Sequence, residues 1–389
     1  MIKRKIEAVF RKALAEYPVV TIFGPRQSGK TTLAKTVCPE FEYVTLEDRE
    51  TRDLAKEDYK AFFARYRRPM IIDEIQRVPE IVSAVQVEVD GNRERNGQFI
   101  LTGSQQPELA AAVDESLAGR TSVLDLLPLS LSEIGDVARD MSTDALLLRG
   151  FMPELYRTRK NPTDYYRNYL RTYLERDVRR LVNVKDLIQF ERFVTLLAGR
   201  VGQVVNFSSL ANETGVSSTT ISTWMSVLEA SFLIYRLPSH HTNVAKRVVK
   251  SPKVYFSEVG LAAYLLGLED ESQVMRDPLR GQLFENLVVM EIRKGFANRG
   301  RDPRIAMYRT EKGFEIDLVV KSGTKVRPVE IKSAMTFNGK LVTNLQKYMA
   351  DDPSAERPLL VYDGAPVAEF GPQKVSAVNF RDLPMTMGA

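Results

Sequence analysis

Gly24, Gly29, Lys30 and Thr31 follow the spacing G-x-x-x-x-G-K-T inside "PVVTIFGPRQSGKTTLAKTV". That spacing suits the holding of a phosphate chain. Glycines let the backbone turn so that successive N–H groups and the start of the next helix face anionic oxygens. A lysine then reaches the terminal phosphates, and a hydroxyl ligates Mg2+. The expected nucleotide-lining residues are Gly24, Pro25, Arg26, Gln27, Ser28, Gly29, Lys30, Thr31 and Thr32. Far downstream, "FEIDLVVKSGTKVRPVEIKSA" carries a second chemical pattern, Asp317 followed by Glu330-x-Lys332. Two carboxylates able to hold Mg2+, with an ammonium beside them, suit metal-dependent phosphodiester cleavage. Alternation along a strand puts Glu330 and Lys332 on one face, as that chemistry requires.

The first pattern has a partner. "RPMIIDEIQRVPE" is a short apolar run ending in Asp73-Glu74, the form of a Walker B element. There Asp73 joins Thr31 in holding Mg2+, and Glu74 polarises the attacking water. "GQFILTGSQQPEL" ends a third strand in Thr102-Gly103-Ser104, where a hydroxyl either senses the γ-phosphate or caps the helix from Pro107. Arg120, in "SLAGRTSV", is either an arginine finger toward a neighbouring subunit's nucleotide or a solvated loop residue. The base reads as adenine. Asp73 is followed by Glu-Ile-Gln rather than the Asp-x-x-Gly of GTPases, and "NVKD" at Asn183–Asp186 is wrongly spaced for guanine recognition.

These groups need elements to position them. Strand, glycine loop, helix, then two more strands describe a parallel α/β core. In "TDYYRNYLRTYLERDVRRL", Tyr166, Leu170, Tyr173 and Leu174 recur at helical spacing and predict a core stripe, with Arg167, Arg171 and Arg179 on other faces. The same mixture of tyrosine and arginine also suits a nucleic-acid surface. "VNFSSLANETGVSSTTISTWMSVLEASFLIYRLPSH" predicts a helix, a turn at Gly215-Val216, a second helix capped by Ser217 with Ile221, Trp224, Leu228 and Phe232 inward, then a strand. That is the order of a winged helix. Ser218, Thr219, Thr220, Ser222 and Thr223 form its polar face, without the arginine that most often reads guanine. Lys246, Arg247, Lys250 and Lys253 offer phosphate contacts downstream, while protein interaction is the other use of such a module. In the last third, "GQLFENLVVMEIRKGF" places Glu285 on a helix before the two strands, and "KSGTK" joins them as a hairpin. Either the site cleaves, or the domain binds DNA without cleaving, or it is a structural cap with Lys332 paired to Asp317.

Composition bounds the rest. The chain has 389 residues, room for several domains. Its net charge of +5 is compatible with nucleic-acid contact without demanding it. One cysteine, Cys38, excludes an internal disulfide framework and a Cys-based zinc cluster. Two histidines, His240 and His241, argue against a His-metal site or a Ser-His-Asp triad. No run of eighteen apolar residues predicts a membrane span, and the basic start lacks a signal-peptide core. The expectation is a cytoplasmic protein without membrane contact.

"GPRQSGKTT", "IIDEIQRVPE", "LTGSQQ" and "LAGR", in this order, resemble a widespread bacterial and archaeal family of AAA-type ATPases. Its members end in a domain of unknown function with a restriction-endonuclease-like fold. The likeness extends through "GFMPEL", "YLRTYLERDVRRL" and the Asp317–Lys332 strands. It implies ATP binding at Gly29, Lys30, Thr31 and Asp73, with Glu74 as hydrolytic base. The expected architecture is α/β: an AAA-type P-loop core over 1–135, a helical lid over 136–203, a winged-helix module over 204–250 and a nuclease-like domain over 251–389. The expected function is ATP hydrolysis with Mg2+, coupled to a DNA-facing C-terminal half in which Asp317, Glu330 and Lys332 are candidate nuclease residues. The alternative is an ATP-dependent switch acting on protein partners, with a homo-oligomer required if Arg120 is a finger.

Overall fold

The computed structural model describes residues 2–104, 107–174, 187–240, 252–310 and 312–383. The N-terminal part alternates helix and strand: α1 (Glu7–Glu16), β1 (Val19–Phe23), α2 (Lys30–Val37), β2 (Glu42–Thr45), α3 (Arg49–Glu57), α4 (Tyr59–Arg65), β3 (Met70–Asp73), α5 (Ile81–Asp90), β4 (Phe99–Gly103), α6 (Pro107–Ser116) and β5 (Thr121–Asp125). The strands form one parallel sheet in the order β2-β3-β4-β1-β5. Every residue of β1, β3 and β4 is buried, as a sheet covered on both faces requires. The loop after β1 and the end of β3 therefore open at the same edge, the carboxyl ends of the strands, where such sheets take ligands.

Helices follow: α7 (Leu131–Ile134), α8 (Asp136–Asp140), α9 (Thr143–Arg149), α10 (Pro153–Arg157) and α11 (Pro162–Tyr173). On α11, Tyr165, Tyr166, Tyr169 and Tyr173 are buried. The tyrosines are core, as the helical spacing predicts, and Arg167 is exposed beside Asp164. Arg179 lies outside the described residues.

Next come α12 (Leu187–Ala198), α13 (Phe207–Thr214), α14 (Ser218–Ala230), β6 (Ile234–Leu237) and β7 (Lys253–Phe256). Gly215 takes φ 76° to turn the chain between α13 and α14, and the Ser217 hydroxyl caps α14 by accepting the Thr220 N–H at 3.0 Å. Ile221, Trp224 and Leu228 point inward, with Trp224 packed against the rings of Phe190 and Phe193 on α12. β6 and β7 pair antiparallel, and Val204 bridges to Lys253. Lys246, Arg247 and Lys250 lie outside the described residues.

The C-terminal part comprises α15 (Val259–Leu265), α16 (Glu271–Arg276), α17 (Arg280–Ala297), β8 (Ile305–Arg309), β9 (Glu315–Ser322), β10 (Lys325–Lys332), α18 (Thr343–Asp351), β11 (Leu359–Tyr362), β12 (Val367–Phe370) and β13 (Val375–Asn379). Its mixed sheet runs β12-β13-β11-β10-β9-β8. β9 and β10 are antiparallel, turning at Gly323 with φ 59°, and β11 joins β10 in parallel. α17 is the staple of the molecule. Asn286 exchanges hydrogen bonds with the backbone of Phe256, Glu291 accepts the Leu131 N–H at 2.8 Å, and Lys294 donates to the Leu129 carbonyl at 2.8 Å. Among the described residues no helix is long and apolar enough to cross a membrane.

Candidate functional site

Two clusters hold the residues of interest. In the first, the loop Gly24–Gly29 leads from β1 into α2. Gly24 has φ 153°, and a Cβ there would stand 2.2 Å from the Leu126 carbonyl oxygen, so only glycine fits. Gly29, at φ 95°, starts α2. Lys30 is buried, and its ammonium donates to the carbonyls of Gly24 at 2.9 Å and Pro25 at 2.8 Å. The Ser28 hydroxyl is buried without a partner among the described residues. Arg4, a residue the sequence marked only as part of a basic segment, braces the loop from behind. It donates to the Ser28 carbonyl at 2.7 Å and the Leu127 carbonyl at 2.7 Å, and pairs with Glu133 at 3.0 Å.

At the end of β3, Asp73 gathers three hydroxyls. Thr31 Oγ1 donates to its two carboxylate oxygens at 3.1 and 2.9 Å, Tyr43 donates at 2.9 Å, and Thr102 donates to Oδ1. Nothing in the sequence marks Tyr43. Burial, then the charge of Asp73, push its phenol up to about 12. Glu74 follows in a left-handed conformation, φ 61° and ψ 43°, and accepts a hydrogen bond from the Gln76 side chain. Burial raises its pKa above the ordinary range, and Asp73 adds to this while Lys30 and Arg26 oppose it. A carboxylate so raised is suited to accepting a proton. Gln27, also at positive φ, accepts the Tyr165 hydroxyl at 2.6 Å, so α11 touches the loop itself.

The second cluster lies on β9 and β10. The pairing of Leu318 with Val329 sets Asp317 beside Glu330 on the next step of the antiparallel ladder. Lys332 bridges them, 3.2 Å from Asp317 and 2.8 Å from Glu330. Asp317 also accepts the Ile331 N–H at 2.8 Å. The three expected residues meet, but a fourth comes with them. Lys253, buried on β7, lies 2.8 Å from Glu285, 2.6 Å from Glu315 and 3.9 Å from Asp317. Tyr255 donates to Glu285 at 2.6 Å. Burial pushes Glu285 and Glu330 each up to about 7, with Asp317 adding to the effect and the adjacent lysines opposing it. Among the described residues no group of three or more His, Cys, Asp and Glu is disposed to hold a metal. Two ammoniums, Lys253 and Lys332, thus stand among the carboxylates of this cluster.

Residues 16–135 match an AAA domain, 141–272 a domain of unknown function (DUF8612) and 280–383 another (DUF4143). An uncharacterised protein of Mycobacterium tuberculosis (Rv2008c) is 30% identical over 337 residues, covering 86% of this chain and 74% of the relative. This chain belongs to that protein's family. Its N-terminal third is thus an AAA-type ATPase domain. The corresponding protein of Mycobacterium bovis (Mb2031c) matches to the same extent. Among solved structures, the Walker-type ATPase PABY2304 of Pyrococcus abyssi aligns with 68% of this chain and 96% of its own length, at 14% identity and a TM-score of 0.46.

Three further expected residues of the AAA-type domain, Arg120, Thr102 and Thr32, are placed as follows. Arg120 pairs with Asp90 at 2.8 and 3.0 Å, and its carbonyl accepts the Val19 N–H. That is the start of β1, the end of the sheet away from the phosphate loop, so Arg120 does not reach this chain's own nucleotide site. Thr102 is committed to Asp73, and the neighbouring Ser104 hydroxyl is buried without a partner among the described residues. Thr32 is exposed on the outer face of α2.

Proposed function

We propose that this AAA-type protein binds ATP with Mg2+ at the Gly24–Thr32 loop, hydrolyses it with Glu74 as base, and passes its nucleotide state to a DNA-facing C-terminal half. The observation that carries the reading is the meeting of Thr31, Asp73 and Glu74 at one edge of the parallel sheet, under the loop that holds Lys30. Thr31 and Asp73 supply hydroxyl and carboxylate oxygens, the hard donors that suit Mg2+. The bound ion would neutralise phosphate charge. Lys30 exchanges the carbonyls of Gly24 and Pro25 for phosphate oxygens, and the N–H groups of the loop cradle them. Glu74 orients water and takes its proton.

Transmission is supported by the bond from Tyr165 to Gln27, because α11 packs on α15, next to β7. The order α12, α13, α14, then the β6-β7 hairpin supports a winged helix, with Ser218, Thr219, Ser222 and Thr223 exposed along α14. The order α17, β8, β9, β10, α18, β11 supports the restriction-endonuclease-like reading of the last domain. A protein-directed switch with an inactive nuclease-like domain is the second reading. It is favoured by the lysine among the carboxylates of that domain.

The deciding experiment is ATP turnover with and without double- and single-stranded DNA, beside DNA binding at rising salt and recovery of the DNA on a gel. Stimulated turnover and affinity falling steeply with salt support the DNA-facing reading. Turnover indifferent to DNA, with no affinity to lose, transfers the assignment to protein partners. Nicked product that disappears in Asp317→Ala would support the nuclease role.

A further inference from the structure

We propose that Lys253 is the resident cation of the acidic cluster: its ammonium fills the seat between Glu285, Glu315 and Asp317, making the cluster a lysine-filled clasp between the β6-β7 hairpin and the C-terminal sheet instead of a divalent-metal centre. The inference goes beyond the ATPase reading and does not rest on it.

Four carboxylates converge from three elements: Glu285 on α17, Glu315 and Asp317 on β9, and Glu330 on β10. Glu315 and Asp317 are two apart on β9 and so share a face, as do Lys253 and Tyr255 on β7. Lys253 is 4% exposed and stands within 3 Å of both Glu285 and Glu315. Tyr255, from the same strand, donates to the same oxygen of Glu285 that Lys253 contacts. Lys332 occupies the other half of the cluster, bridging Asp317 to Glu330. A buried carboxylate needs a compensating cation, and each of these has an ammonium within reach. A divalent ion entering beside Asp317 would meet the Lys253 ammonium 3.9 Å from Oδ1, at like charge in a poorly solvated place. β7 is continuous with the hairpin of the helical module, so the clasp also fixes that module to β9 and α17.

The test uses the full chain in an Asp73→Asn background, which removes the magnesium seat under the phosphate loop. Bound Mn2+ is counted by electron paramagnetic resonance, and melting is followed with and without Mn2+. With Lys253 in place, the expected result is no Mn2+ that depends on Asp317. Lys253→Met opens the seat: one Mn2+ ion binds at least about tenfold more tightly, raises the melting temperature, and is lost again in Lys253→Met/Asp317→Asn. Mn2+ bound with Lys253 present and lost in Asp317→Asn would overturn the proposal, and that comparison stands even if Lys253→Met does not fold. A folded Lys253→Met that gains no Mn2+ would overturn it too.

Discussion

Tyr165 donates its phenolic hydrogen to Gln27 Oε1 at 2.6 Å, so a helix from the second part of the chain is bonded to the phosphate loop. Gln27 sits at φ 60°, a conformation that a side chain holds only with support, and Tyr165 supplies that support. Tyr165→Phe keeps the ring against Tyr166 and removes only the hydroxyl. One hydrogen bond contributes about 1 kcal/mol, or about fivefold. The expected outcome in steady-state kinetics is ATP turnover lowered by about that factor, with the melting temperature nearly unchanged. Unaltered turnover would remove this bond from the coupling path.

The proposed roles of Lys30 and Glu74 divide binding from chemistry. Lys30→Ala loses the buried ammonium meant for phosphate, and ATP should no longer raise the melting temperature. Glu74→Gln keeps the shape and loses the base, so ATP still binds while turnover falls about 100-fold or more. Turnover retained in Glu74→Gln would take the base role from it.

Gly24→Ala tests the loop's packing. The added methyl would stand 2.2 Å from the Leu126 carbonyl oxygen, a backbone atom that cannot swing aside. Overpacking of this kind costs about 1–3 kcal/mol. Both the melting temperature and ATP binding should fall, measured by thermal unfolding and nucleotide titration.

Glu258 predicts a pH effect. Burial pushes its pKa from 4.5 up to about 7, partly offset by Lys294, while its Oε1 accepts the N–H groups of Phe151 and Gly260. The folded state therefore holds a proton that the unfolded state releases between those values. Stability from this group is greatest below the ordinary pKa and is lost as pH rises through about 7, on the order of 3 kcal/mol in all. Glu258→Gln should flatten the fall in melting temperature across that window. An unchanged slope would show that Glu258 does not titrate there.

The local patterns were written in the sequence. The glycines of the phosphate loop, the acids after an apolar strand and the alternation of Glu330 with Lys332 follow from short-range rules, because turns, pleats and helix starts depend on neighbours in the chain. The tyrosine stripe and the Gly215 turn were legible for the same reason. What only the tertiary structure decided is which distant side chain completes each site. Asp73 receives Tyr43 because β2 pairs with β3; Gln27 receives Tyr165 because α11 packs at the loop; Asp317 receives Lys253 because β7 lies against β9 and α17. Arg4, in the segment before α1, reaches the Ser28 carbonyl in the same way. These partners are set by the order of strands and the packing of helices, and no periodicity in the chain encodes a contact that arises only when two remote elements come to share a face. Thus a motif that reads as a metal site along β9 and β10 came, once folded, with a lysine already in it.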